Sequence, residues 1–422
     1  MTSSPTPSTR IRSRSERPGA VPAALAACLL AALPRLAAAH GETVDVLPEE
    51  PGLRLGAGAA LSALHADEEL PSRRMSGYLL NGSVGTDRRG GQLEHGVIEA
   101  AARLSSQFGA YAAIGKHGSE APHTEGAWLQ WQPGPDWQLT LGRQKPSLGA
   151  VITGAGHMDR FALMPLAKQA SFGEDWIDDG LQASWRHPLG SGDVGLDVGL
   201  WRGHAWPGGY GGPLGFSAHA QWQQGDWTLD GFFLHAEPAR RGTKITLAGA
   251  DHSHDAADCD AALTQVACFG GRSQVLGASV RWLSHQLPLS ASAAVLWHRD
   301  RGSLASRNGG GAYAGDTVGG WVEGVWTLHP QWELGVRLEH LRSRQTLVGA
   351  GASLVASELQ LAAYRPANRQ SLMLGWLPSD KVSVRLEVGR ESVSGRHARY
   401  AALRAVVAMD DVVRGARALA GH

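Results

Sequence analysis

Downstream of residue 39, the 422-residue chain has no run of the roughly 18 uninterrupted apolar residues that a membrane-spanning helix requires. Any membrane span must therefore be built from strands. Neither sign of charge is in excess, because Lys+Arg and Asp+Glu both total 39. This removes the basic surplus expected of a nucleic-acid binder or of a chain held on an anionic membrane surface. Cysteine is scarce, at three residues. Cys28 lies inside an N-terminal apolar run, which leaves Cys259 and Cys268 as the candidate disulfide of an exported chain. Also missing are a recognisable nucleophile with its base, a Gly-rich phosphate cradle and a His-Glu-x-x-His metal spacing. The motifs thus indicate no enzyme and no cofactor. The alternative they leave open is a barrel hydrolase whose Ser, His and Asp assemble only in space.

What is present begins with Arg10, Arg12, Arg14 and Arg17, followed by an Ala/Leu run over 20–33 and the small residues Ala37, Ala38 and Ala39. A charged region, an apolar region and a small-residue site in that order predict a secretory signal peptide over 1–39. Leu25, Ala26, Ala27 and Cys28 also match a lipid-attachment pattern, but the chain stays apolar after Cys28, where a lipoprotein turns polar. Residues 40–52 then read as a periplasmic N-terminal segment, 53–409 as an all-β transmembrane barrel and 410–422 as a C-terminal tail.

The barrel reading rests on a period of two. Val194, Leu196, Val198 and Leu200 alternate with Gly195, Asp197 and Gly199, and the pattern recurs at Trp332/Leu334/Val336/Leu338 and Val382/Val384/Leu386/Val388. In a bilayer every backbone amide needs a partner within the protein, so a sheet spans only if it closes, with one face to lipid and one to the lumen. Sixteen antiparallel strands are expected, with fourteen to eighteen admissible: 53–64, 93–104, 107–117, 126–132, 137–143, 180–187, 193–203, 215–223, 227–236, 273–283, 289–299, 316–328, 332–343, 369–377, 382–391 and 398–409. Short turns, such as those at Pro133 to Asp136 and at Pro378, alternate with longer connections over 144–178, 204–214, 237–271, 301–315 and 343–368. Outer-membrane barrels of Gram-negative bacteria show this asymmetry, with short turns in the periplasm and long loops outside. Trp131, Trp137, Trp185, Trp222, Trp227, Trp282, Trp326, Trp332 and Trp376 all flank short turns, as an interfacial girdle would. A soluble sandwich or propeller with tryptophans in its core is the competing fold.

The alternation also assigns the lumen. Inward positions include Glu99, Arg103, Arg186, Asp197, His219, Asp230, Arg281, His298, Glu323, Glu333, Arg337, Glu339, Arg385, Glu387 and Arg404. Both signs occur, which suits a polar wall or a solute-guiding field without strong anion selectivity. The connection 144–178, which follows the fifth strand and is therefore the third external loop, carries Lys145, His157, Asp159, Arg160, Lys168, Glu174 and Asp175 among apolar residues. It is long enough to fold inward as a constriction or to seal the mouth. Pore-lining or constriction candidates are therefore Arg143, Lys145, Asp159, Arg160, Lys168, Glu174, Arg186, Arg281, Glu323, Arg337, Glu339, Arg385, Glu387 and Arg404. The sharpest local motif is Asp251 to Asp255, where His252, His254 and Asp255 form a candidate metal set. The plainer reading of that motif is a hydrated external loop stapled by Cys259 and Cys268.

Gly142, Arg143, Gln144, Lys145, Pro146, Ser147, Leu148 and Gly149, reached after the strand at Ala127 to Trp131, resemble the Gly-x-x-Lys-x-Pro segment of phosphate-selective porin O/P-like proteins. Gly180 to Trp185 extends the likeness over the middle third of the chain. The resemblance implies sixteen strands, passive uptake and, in many members, a homotrimer. Pro146 stands one position early, no basic ladder is evident, and the last strand has no terminal aromatic. The expected function is an outer-membrane porin for passive diffusion of small hydrophilic solutes or ions, contacting outer-membrane lipids and no nucleic acid. The alternatives are a metal-linked channel using the histidine loop, and a non-transport barrel acting as adhesin or hydrolase.

Overall fold

A computed structural model describes residues 47–74, 89–118, 121–156, 158–173, 175–204, 212–244, 259, 266–359, 361 and 365–410. The expected signal peptide, residues 40–46 of the segment after it and the tail from 411 lie outside the described residues.

Alternating apolar and polar residues extend the backbone into β1 (Gly52–Ala66), β2 (Gly90–Arg103), β3 (Phe108–Lys116), β4 (His123–Trp131), β5 (Trp137–Gln144), β6 (Asp178–Leu189), β7 (Gly192–Trp201), β8 (Gly215–Gln224) and β9 (Trp227–Ala236). There follow β10 (Arg241–Lys244), β11 (Val266–Leu283), β12 (Leu289–Ser306), β13 (Gly309–His329), β14 (Trp332–Val348), β15 (Arg365–Ser379), β16 (Val382–Val393) and β17 (Arg396–Met409). Each strand pairs antiparallel with its neighbour, and β17 pairs with β1 from Ala57 opposite Met409 to Ala66 opposite Tyr400. The short β10 only lengthens the ladder beside β11, whereas β9 pairs directly with β11. The result is a closed ring of sixteen strands without an open edge.

Closure makes the two faces unequal. On β14, Glu333, Arg337, Glu339 and Leu341 are buried inward while Val336, Leu338 and His340 are exposed. An exposed row of Leu, Val and Trp on every long strand would be unfavourable in water, and it matches the hydrocarbon of a bilayer. The register also places indoles opposite one another at the short-turn end. Trp137 faces Trp185, Trp227 faces Trp282, and Trp332 faces Trp376 with ring centroids 6.4 Å apart.

One expected loop is absent. The connection read over 301–315 is strand on both sides, with β12 running to Ser306 and β13 starting at Gly309, joined by a two-residue turn. The run Gly309, Gly310 and Gly311 has a loop's composition, but at Gly311 a Cβ would lie 2.3 Å from the Val348 carbonyl oxygen. The glycine there permits close approach of backbones within a sheet.

Candidate functional site

The segment between β5 and β6 turns back into the ring. Leu148, Val151, Ile152 and Ala155, around the short helix Ala150–Thr153, share one buried cluster with Phe232, Leu234, Val275 and Leu296 of the wall. Leu166, Ala167, Ala170 and Phe172, on the helix Leu166–Phe172, join the same cluster with Trp321 and Leu341. Gly319 makes room for this helix, since a Cβ there would stand 3.1 Å from the Cβ of Ala167. The apolar residues among the charges of this connection are thus what seats it.

Between the helices, residues 158–165 have no regular secondary structure, so their buried amides and carbonyls need partners from elsewhere. The wall provides them. Arg404 donates from Nη1 to the carbonyl oxygens of Asp159 (3.1 Å) and Phe161 (2.8 Å), and from Nη2 to that of Ala162 (2.5 Å). Arg337 donates to the Leu163 carbonyl and places its guanidinium 4.3 Å from the centre of the Phe161 ring. Arg369 donates to the Met164 carbonyl at 2.7 Å. In the opposite sense, Glu387 accepts from the amide of Ala162 (2.5 Å) and Glu339 from that of Leu166 (2.6 Å).

Each of these arginines is buried and also meets a carboxylate. Arg404 pairs with Glu94 across the β17, β1 and β2 seam. Arg337 pairs with Glu339 at 3.0 Å, Arg369 with Glu391 at 2.7 Å and Arg385 with Glu333 at 3.0 Å. Guanidinium suits this double task because its planar fork serves a carboxylate on one edge and carbonyls on the other. Tyr400 completes the network by donating to Glu387 at 2.6 Å.

The remaining expected site residues divide by position. Lys145 and Lys168 both reach Asp175, the first at 3.1 Å, which closes the base of the inward segment. Arg160 donates to Ser290 Oγ at 3.1 Å, and Glu323 accepts from Ser292 at 2.9 Å. Buried Asp159 stands 3.8 Å from Arg337. Arg186 makes a two-point contact with Asp197 at 2.9 and 2.8 Å. Arg281 faces inward and makes no ion pair among the described residues; its Nε has no hydrogen-bond partner. Arg143 is a correction. It shares the outward parity of Trp137 and Leu141, and it pairs at 3.0 Å with Asp179, so it does not line the lumen. Glu174, His252, His254 and Asp255 lie outside the described residues, while Cys259 and Cys268 are joined by a disulfide with Cα atoms 5.7 Å apart.

Arg369 and Glu391 were not among the expected site residues, although both follow from the alternation of their strands. Glu94 does not follow from it. The β1 and β2 register shifts between Ala60 and Leu61, leaving Glu94 as an extra residue that a bulge turns inward beside His95.

On the other side of the lumen, His219 is held at both ring nitrogens, Nδ1 2.7 Å from Asp197 and Nε2 3.1 Å from Asp230. A histidine engaged at both nitrogens has none left to take a proton from a serine.

No protein-family model and no curated protein sequence matches the chain. Solved structures share its architecture. OmpT, an outer membrane protein of Vibrio cholerae in trimer form, is 9% identical over 85% of this chain and 100% of that chain, with a TM-score of 0.54. An anion-selective porin from Comamonas acidovorans is 10% identical over 85% and 100%, with a TM-score of 0.53. The outer membrane channel DcaP of Acinetobacter baumannii is 10% identical over 87% and 100%, with a TM-score of 0.51. At such identities the likeness is one of fold, and that fold is the outer-membrane β-barrel of porins and channels.

Proposed function

We propose that the chain is an outer-membrane porin, through which small hydrophilic solutes and ions diffuse passively past a constriction made by the inward segment. One observation carries this reading: the 145–177 segment is fastened within the ring by buried side chains of β14 to β17, instead of standing over the mouth. A loop so fixed narrows a lumen permanently and needs neither fuel nor cofactor. The lumen acts by excluded size and by charge, not by turnover.

The charge pattern favours weak selectivity over phosphate capture. Arg337, Arg369, Arg385 and Arg404 are each answered by a glutamate, and Lys145, the lysine of the porin O/P-like segment, is held by Asp175. Arg281 faces inward without an ion pair among the described residues. An isolated arginine of that kind does not make the basic ladder that an anion filter uses. A homotrimer belongs to the same reading, supported by the trimer form of the Vibrio OmpT neighbour, and cross-linking in detergent tests it separately.

Planar-bilayer recording in a salt gradient is the test of transport. The expected result is discrete ohmic steps with a reversal potential near zero. A large reversal potential of the anionic sign would mean an anion-selective pore, and a folded barrel that carries no current would remove the porin reading.

A further inference from the structure

His95, His117, His123 and Glu125 meet at the loop end of β2, β3 and β4, and none of the four belongs to the expected metal set at 252–255. Their convergence begins with the backbone. The β3 and β4 register shifts between Ala113 and Ile114, with Gly126 opposite the first and Thr124 opposite the second. Glu125 is therefore the extra residue of a bulge, and its side chain turns inward where plain alternation would send it out. Gly115 provides the seat, since a Cβ there would lie 1.9 Å from Glu125 Oε1.

Three imidazoles close on that one oxygen. Nε2 of His95 stands 2.8 Å from Glu125 Oε1, Nε2 of His117 3.6 Å and Nε2 of His123 3.7 Å. The rings are layered, His95 on His117 with centroids 4.6 Å apart and His117 on His123 with centroids 5.2 Å apart. The ligand atoms of His95, His117 and Glu125 all lie within 4.8 Å of one another. His117 and Glu125 are almost fully buried, whereas the His123 side chain is 29% exposed and gives the cluster its route to solvent.

We propose that these four residues form a binding site for a divalent d-block cation, with Zn²⁺ as the reference ion. In a tetrahedral zinc site with ligands at about 2.0–2.1 Å, neighbouring ligand atoms stand about 3.3 Å apart; the 2.8, 3.6 and 3.7 Å separations from Glu125 Oε1 are near that spacing, and His123 must swing toward His95 and His117 to complete the set. Three nitrogens and one carboxylate are a borderline set that suits Zn²⁺ and Cu²⁺. Mg²⁺ and Ca²⁺, which demand mostly oxygen, are a poor match. A bound ion would tie β2 to the β3–β4 hairpin, and it would stabilise the folded chain in proportion to its concentration.

The test uses the full chain in detergent, stripped with a chelator and titrated with ZnCl₂ by calorimetry. A His252→Ala/His254→Ala variant is included so that the two histidine groups are separated. One Zn²⁺ is expected to bind this variant. Adding His117→Ala or Glu125→Gln to it should weaken binding at least about tenfold. Binding unchanged by His117→Ala and Glu125→Gln, or no saturable binding in the His252→Ala/His254→Ala chain, would overturn the assignment. Should His117→Ala fail to fold, Co²⁺ absorption of the His252→Ala/His254→Ala chain still decides: intense visible bands of a tetrahedral nitrogen/oxygen site are expected, and the weak bands of hydrated octahedral Co²⁺ would refute it.

Discussion

Arg369 on β15 and Glu391 on β16 face each other across the wall with Nη2 2.7 Å from Oε2, and neither side chain has any solvent exposure. Arg369 also holds the Met164 carbonyl at 2.7 Å and Ser72 Oγ at 3.2 Å, so one guanidinium joins the wall, the inward segment and the first external loop. A charge pair this deep carries a desolvation cost that its Coulomb attraction and hydrogen bonds must offset. Its effect lies in what it fixes.

Arg369→Ala should therefore destabilise the barrel by about 3–5 kcal/mol, since it leaves Glu391 buried without a counter-charge. Replacing both partners, as Arg369→Met with Glu391→Leu, should recover most of that loss. Urea unfolding in a defined lipid checks both; a single variant as stable as the wild type would mean that the pair is not a fastener.

Leu338 lies near the middle of β14 and is 54% exposed on the outer face. Leu338→Arg should cost about 2–4 kcal/mol if that face meets hydrocarbon, whereas Thr346→Arg, on the same face at the loop end, should cost roughly 0–1 kcal/mol. The same unfolding measurement compares them. Equal costs would mean that the outer face has no depth-dependent apolar belt.

Asp67, just after β1, accepts the Arg399 amide at 2.7 Å and the Glu68 amide at 2.8 Å. The Arg399 amide is the main reason its carboxyl is held below the usual carboxylate range. Because the folded state favours the ionised form, this stabilisation is complete above the unfolded carboxylate range and is lost as pH falls through the lower folded value. The stability gap between wild type and Asp67→Asn should close on acidification from about pH 5 to about pH 2. A gap that stays constant over that range would show that the carboxylate is not the group responsible.

The barrel itself was legible because a lipid face beside a water face forces a period of two, as at Val194 to Leu200, and because indoles mark the short-turn rim. The same parity exposed Arg337, Arg385 and Arg404 as inward. It did not show that their hydrogen bonds go to the carbonyls of the Asp159 to Met164 stretch, since nothing local in the chain tells a loop that enters the ring from one that covers it. Glu94 and Glu125 were hidden for another reason. Each sits at a bulge, where one added residue reverses the side-chain direction that parity assigns. The glycines at 309–311 look like loop in the sequence because close backbone approach and turning call on the same residue type.

The most direct test is single-channel conductance of the wild-type chain beside a chain carrying Arg369→Ala and Arg404→Ala together. If these arginines hold the 145–177 segment across the lumen, the wild type gives small uniform steps and the double variant gives larger, more variable ones. Identical steps from two folded barrels would contradict a lumen narrowed by a loop that those arginines fasten.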